Sequence, residues 1–273
     1  MNDESKESEL SHTLKYEARR FTLNENSAVS DALTVEHPLS ISINDAPFTL
    51  TMQTPGNELA LVRGLLFTEG VYKMKSGSLR VEILEKSDTG FISKVNVVIP
   101  ENDIDQSQLN KRNLLSVASC GICGKTELNF PDEPQLASST GLNMSQIDGM
   151  FEIMSDAQNA FIQSGGCHAS AAFDKSGMML SIMEDIGRHN AVDKVIGDLL
   201  NNAQLKNASY LLVSGRVSYE IVSKVFMAGI PFLLAVSAPS TLAVDFAKEL
   251  GITLLGFCRE GRATVYSHPQ RLS

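Results

Sequence analysis

Basic residues are the first shortage. The 273 residues include 23 Lys and Arg against 32 Asp and Glu, a formal net charge of −9 at pH 7, and the isoelectric point is near 5.1. Sequence-blind binding to a phosphate backbone depends on a field of Lys and Arg, so the balance argues against nucleic acid as a partner. Cysteine is scarce as well. Cys120, Cys123, Cys167 and Cys258 are the full set, too few for a disulfide-dense secreted scaffold, which leaves their spacing to be explained by chemistry. No apolar leader follows the first ten residues, where four acids accompany one Lys, so no signal peptide is expected. Long hydrophobic runs are missing too: the uncharged stretch from Val225 to Val244 is broken by Gly229, Pro231, Pro239 and Ser240. It reads as helix end, buried strand, turn and helix start. The expectation is a soluble, cytoplasmic protein with no membrane segment.

What is present is ordinary globular material. Hydrophobic residues make up 43% and charged residues 20%, enough for a sizeable core in one large domain or a large one plus a small one. Residues 1–20 read as a mobile acidic arm. Residues 21–115 read as a smaller β-rich domain with one helix: Leu39 to Ile43 and Phe48 to Met52 alternate around Asn44-Asp45-Ala46-Pro47, a hairpin pattern. Asn57 and Gly70 bracket an apolar stretch that predicts a helix over about 58–69. Residues 116–137 hold a C-x-x-C loop, and residues 138–273 read as an α/β main domain. There Ser145 is placed to cap one helix running to Gly165-Gly166, Asp174 to Gly177 to turn a hairpin, and strands and helices alternate from residue 190 onward. Asp193 and Lys194 read as a solvated or packing pair on a helix.

In open α/β sheets, ligands sit beyond the carboxyl ends of strands, where helix N-termini offer free N–H groups. The turns there read Gly187-Arg188-His189-Asn190, Ser214-Gly215-Arg216-Val217-Ser218, Ser237-Ala238-Pro239-Ser240 and Phe257-Cys258-Arg259-Glu260-Gly261-Arg262. Small residues let backbone approach a ligand, and arginines supply planar forks for phosphate oxygens. An anionic, phosphorylated ligand is expected, with Arg188, Arg216, Arg259 and Arg262 facing one crevice.

The sharpest local feature is Ser119-Cys120-Gly121-Ile122-Cys123-Gly124-Lys125-Thr126. Two thiols three positions apart, each followed by Gly and with Lys nearby, favour exposure and a reactive thiolate. Thioredoxin-like exchange fits poorly in a chain of this size. Structural zinc would need further ligands from Cys167, His168, His189 and Cys258. A deaminase zinc site would need its His-x-Glu upstream, and a P-loop would need Gly at position 119. A sulfur carrier, which holds sulfur as a cysteine persulfide by the same exchange chemistry, remains open. So does the plainer reading of two incidental reduced cysteines.

Several strings together resemble a known family. Glu36-His37-Pro38-Leu39, Met52-Gln53-Thr54-Pro55-Gly56, Phe67-Thr68-Glu69-Gly70, the C-x-x-C string, Gly165-Gly166-Cys167-His168-Ala169, Glu184 through Lys194, Ser214-Gly215-Arg216 and Gly256-Phe257-Cys258-Arg259 are similar to the FdhD family of formate dehydrogenase accessory sulfurtransferases. The resemblance runs from about residue 30 to the C-terminus. It implies a cytoplasmic homodimer with a cytidine-deaminase-like main domain lacking the deaminase zinc. It further implies that sulfur is received from a cysteine desulfurase and passed to the bis(molybdopterin guanine dinucleotide) molybdenum cofactor for a formate dehydrogenase apo-enzyme. On that resemblance Cys120 is the persulfide site and Cys123 its companion. The cofactor segment maps to Phe257, Cys258, Arg259, Glu260, Gly261 and Arg262, joined by Arg188 and Arg216 from the strand-end reading, and GDP-like nucleotides would act as partial mimics. A cofactor escort without persulfide turnover is the alternative.

Overall fold

The computed structural model describes residues 12–72, 79–110 and 141–273. Two strands open the chain, β1 (Thr13–Phe21) and β2 (Asn26–Thr34), paired antiparallel with Thr13 opposite Thr34 and Phe21 opposite Asn26. The arm expected over residues 1–20 is therefore a strand from Thr13 onward. Its period-two pattern sets Leu14, Tyr16 and Ala18 opposite Leu33, Asp31 and Val29, and the charges of Lys15, Glu17, Arg19 and Arg20 hide that pattern in a compositional reading. The ribbon is largely exposed, with Phe21 at 71%. Its base is tied down where Thr13 Oγ1 donates to Gln163 Oε1 at 2.6 Å and the Thr34 and Ser164 hydroxyls meet at 2.6 Å.

A four-stranded layer follows: β3 (His37–Ile43), β4 (Ala46–Gln53), α1 (Glu58–Thr68), β5 (Arg80–Lys86) and β6 (Ile92–Val98), with α2 (Gln106–Asn110) next in the chain. The strands order as β4-β3-β6-β5. The predicted β3–β4 hairpin is present, turning through Asn44 and Asp45 at φ 47° and 65°, the conformation two-residue hairpins favour. Helix α1 lays Leu61, Val62, Leu65 and Leu66 onto this sheet.

The larger layer contains α3 (Met144–Asp156), α4 (Asn159–Ser164), β7 (His168–Asp174), β8 (Met179–Asp185), α5 (Arg188–Asn201), β9 (Ala208–Val213), α6 (Tyr219–Met227), β10 (Phe232–Ala235), α7 (Thr241–Glu249), β11 (Thr253–Arg259) and β12 (Arg262–Val265). Its six strands order as β12-β11-β10-β9-β7-β8. Strands β9, β10 and β11 are parallel, while β7 opposes both of its neighbours. Alternation feeds two cores. Leu211, Val213, Leu233, Ala235 and Leu254 face α5, α6 and α7; Tyr210, Leu212, Phe232, Leu234 and Leu255 face α3. The chain is thus mixed α/β.

Two expectations about this layer need correction. The cap of α3 is Asn143, which accepts from Gln146 N at 3.0 Å while Gln146 Oε1 accepts from Asn143 N at 3.2 Å. This reciprocal box outcompetes Ser145. The single helix expected to reach Gly165 is two, because the chain breaks at Ala157 and Gln158 before α4. Strand β12, with Arg262 in it, was not anticipated.

The four-stranded and six-stranded layers meet where α1 crosses α5. A Cβ on Gly64 would stand 1.8 Å from the Asp193 carbonyl oxygen, and one on Gly197 1.8 Å from that of Ala60. Only glycine lets the backbones touch. Buried charges flank the crossing. Lys194 Nζ lies 2.7 Å from Asp185 Oδ2 and donates to the Thr54 carbonyl at 2.6 Å. The Asp193 carboxylate accepts from Lys224 Nζ at 2.9 and 2.8 Å and from Thr68 Oγ1 at 2.7 Å. Asp193 and Lys194 are therefore not a solvated pair: they are 1% and 0% exposed and each bonds elsewhere.

Candidate functional site

The carboxyl ends of β8, β9, β10 and β11 share one edge of the large sheet with the amino end of β7, as the strand directions require. A cavity of about 920 Å³ opens beside that edge. Helix α3 supplies one wall through Asp148, Phe151, Glu152 and Ser155, spaced to share a helix face. Phe161, Gly165 and Gly166 close a second side, and Cys167, His168, Ile186, Ser214, Val236 and the residues from Cys258 to Gly261 form the sheet side.

The segment from Phe257 to Arg262 is built unusually. The register of β11 with β12 shifts between Gly256 and Arg259, and Phe257 within that bulge has φ 55°. A bulky side chain in the left-handed region is uncommon, and such strain gathers at functional sites. The bulge leaves Phe257 38% exposed and Cys258 1% exposed. Glu260 and Gly261, at φ 55° and 69°, make the two-residue turn into β12.

The four arginines do not all reach the cavity. Arg259 lines it. Arg262 is absent from its walls and instead pairs with Glu260, Nη2 to Oε2 at 3.3 Å, in the open. Arg188 and Arg216 stand at the neighbouring strand ends, behind His168. The Arg188 Cβ would be 3.5 Å from a Cβ on Gly215, and its buried Nε has no hydrogen-bond partner among the described residues. That orphaned donor suits an anion. Burial first, then the Arg188 guanidinium, holds His168 below the ordinary histidine range, with Arg216 adding in the same direction.

Electrostatics within the cavity are mixed. Asp148, Glu152 and Glu260 line it alongside Arg259, so its interior is not an anion basin; the cationic side lies at the His168 edge. Two thiols also face it. Burial pushes both up to about 12, aided for Cys167 by Glu184 and Asp185 and for Cys258 by Asp148. Both are protonated at neutral pH and poor nucleophiles as they stand. Cys120 and Cys123 lie outside the described residues. Among those described, no group of three or more His, Cys, Asp or Glu is arranged to hold a metal, and no helix is long and apolar enough to cross a membrane.

His189 serves the scaffold. Its Nε2 lies 3.1 Å from Glu220 Oε2 and 3.1 Å from Ser218 Oγ, clasping α5 to α6. Sequence reasoning did not find the α3 wall, although the recurrence of Asp148, Phe151, Glu152 and Ser155 at helical spacing carried the signal.

Comparison with known proteins bears on the same residues. The FdhD/NarQ family pattern matches residues 34–273. The sulfur carrier protein FdhD of Mycobacterium tuberculosis is 40% identical over 259 residues, covering 89% of this chain and 92% of that one. Its counterpart from Streptomyces coelicolor is 38% identical over 274 residues, covering 94% and 95%. A crystal structure described as a candidate formate dehydrogenase accessory protein from Desulfotalea psychrophila shares the fold at TM-score 0.74 and 23% identity, covering 96% of this chain and 100% of that one. The strained β11 bulge and the Glu184-to-Lys194 string that locks the two domains both fall inside the matched span, and this chain belongs to the FdhD/NarQ family.

Proposed function

We propose that the protein is a sulfur carrier that takes persulfide sulfur from a cysteine desulfurase and passes it to a bis(molybdopterin guanine dinucleotide) molybdenum cofactor before that cofactor serves formate dehydrogenase. Near-full-length likeness to curated sulfur carriers carries this reading. In the loading step the Cys120 thiolate attacks the outer sulfur of the donor persulfide; a new S–S bond forms, and the donor cysteine leaves as its thiolate. Cys123, three positions on in the sequence, is the thiol that releases or accepts that sulfur by the same exchange.

The cofactor is the substrate, and the cavity supports it as a guest. Cys258 to Gly261 shape one side, with Phe257 and Arg262 flanking them in the chain, and Arg188 and Arg216 supply cationic donors for its phosphates at the adjoining strand ends. GDP is then a partial mimic. The family resemblance further implies that the six-stranded layer is cytidine-deaminase-like, and the mixed α/β layer is compatible with that reading. We also read the working form as a cytoplasmic homodimer, the exposed apolar residues Leu14, Tyr16 and Leu33 on one ribbon face suiting a second copy.

The test is intact mass spectrometry after incubation with a cysteine desulfurase and cysteine. A reducible gain of one sulfur that vanishes in Cys120→Ala is the expected result, with GDP binding retained by the variant and formate dehydrogenase maturation lost. Maturation that survives Cys120→Ala overturns the carrier reading and leaves an escort in its place.

A further inference from the structure

The residue at the start of β7 has no role in the assignments above, although it stands between the cavity and the two flanking arginines. His168 lines the cavity, and its ring sits close to Gly215, where a Cβ would stand 3.2 Å from Nδ1 and 3.3 Å from Cε1. Any side chain at position 215 would push the ring away. The Nδ1–Cε1 edge therefore faces Gly215 at the β9 end of the sheet, and Nε2 is the ring nitrogen that Ser214 does not engage.

Ser214 decides which nitrogen carries the hydrogen. Its Oγ accepts the Ala169 N–H at 2.9 Å and lies 3.4 Å from His168 Nδ1. A serine hydroxyl has one hydrogen to donate. With Ala169 occupying a lone pair, Nδ1 is the acceptor within reach of that hydrogen. In the other tautomer the Nδ1–H and the Ala169 N–H would both converge on Oγ.

We infer that Ser214 holds His168 in the Nε2–H tautomer, and that this neutral ring donates its Nε2 hydrogen to an acceptor oxygen of the ligand in the cavity. The inference rests on the cavity being the nucleotide site proposed above. The chemistry it adds is specific. A neutral donor beside Arg188 and Arg216 fixes the direction of an oxygen without adding a third positive charge to that edge. Arg188, Arg216 and His189 oppose a charge on the ring and Asp185 favours one, and burial with the nearest guanidinium keeps it uncharged at neutral pH.

Two measurements on the full chain test this. The first is titration of GDP into the unaltered protein and into His168→Gln, His168→Phe and His168→Ala. Glutamine places an amide N–H close to the position of Nε2 and is expected to stay within about threefold of the original affinity. Phenylalanine keeps the ring and loses the donor, as does alanine, and both are expected to weaken binding by about tenfold or more. Phenylalanine binding as well as histidine overturns the donor role. The second needs no ligand: ¹⁵N NMR of the histidine ring reads the tautomer in the free protein. An Nδ1–H ring overturns the inference even if GDP binds, whereas an Nε2–H ring supports it. An unaltered protein that fails to bind GDP overturns the nucleotide reading of the cavity and the donor's purpose with it, and the ring spectrum shows whether the tautomer fails too.

Discussion

Lys194 and Asp185 meet at 2.7 Å with side chains 1% and 0% exposed, and the carboxylate also accepts from Thr54 N at 3.0 Å. The pair thus joins the start of α5's motif to the loop after β4. Removing one partner strands a buried charge, which typically costs about 3–5 kcal/mol. Lys194→Met is expected to lower stability to urea by that order. The double change Lys194→Met with Asp185→Asn is expected to recover part of it, and equilibrium unfolding of the three proteins checks both.

Gly197→Ala is expected to be more disruptive than its size suggests. Its new methyl would overlap the Ala60 carbonyl, and the neighbour is backbone, which has no rotamer to yield. A loss of about 3 kcal/mol or more is the expected outcome, read from thermal unfolding, with Gly149→Ala as a comparison, since nothing stands within 4 Å of a Cβ there.

Glu184 holds one wall of the cavity. Its two carboxylate oxygens accept from Ala160 N and Phe161 N, each at 2.8 Å, at the start of α4. Glu184→Gln keeps the shape but gives up the charge-assisted bonds, a loss of about 1 kcal/mol. Faster hydrogen exchange at Ala160 and Phe161, with little change in the strands, is the expected signature.

The two cavity thiols give a pH prediction. With each pushed from 9.0 to about 12 in the folded chain, the folded state binds more protons than the unfolded one between those values, so stability falls as pH rises through that window. At neutral pH, iodoacetamide is expected to leave Cys167 and Cys258 unmodified in the folded protein and to label both after denaturation. Rapid native labelling of either would contradict their burial.

Much of this was legible in the sequence because local pattern and final contact coincide. The hairpin at Asn44-Asp45, the helix ending at Gly70 and the strand–helix alternation after Arg188 were read from periodicity and punctuation alone. The ribbon was not: its surface charges mask a two-residue alternation that buries almost nothing. Asp193 and Lys194 read as a solvated or packing pair because a charged pair on a helix does not declare which until Thr54 and Thr68 are known to sit on it. The site divides the same way. Arg259 and the Cys258 segment announce themselves at a strand end, whereas the α3 wall and the Ser214–His168 contact join residues whose separation in sequence hides their partnership.

The glycine crossing has a mechanical meaning. Because α1 and α5 approach through main-chain atoms at Gly64 and Gly197, the four-stranded layer is riveted to the larger one with no side chain between the two helices there. The Lys194–Thr54 and Lys224–Thr68 bonds, with Asn190 on the Met52 carbonyl and Arg63 on Asn201, fasten the seam around that rivet, so the sheet edge beside the cavity is part of one fastened unit.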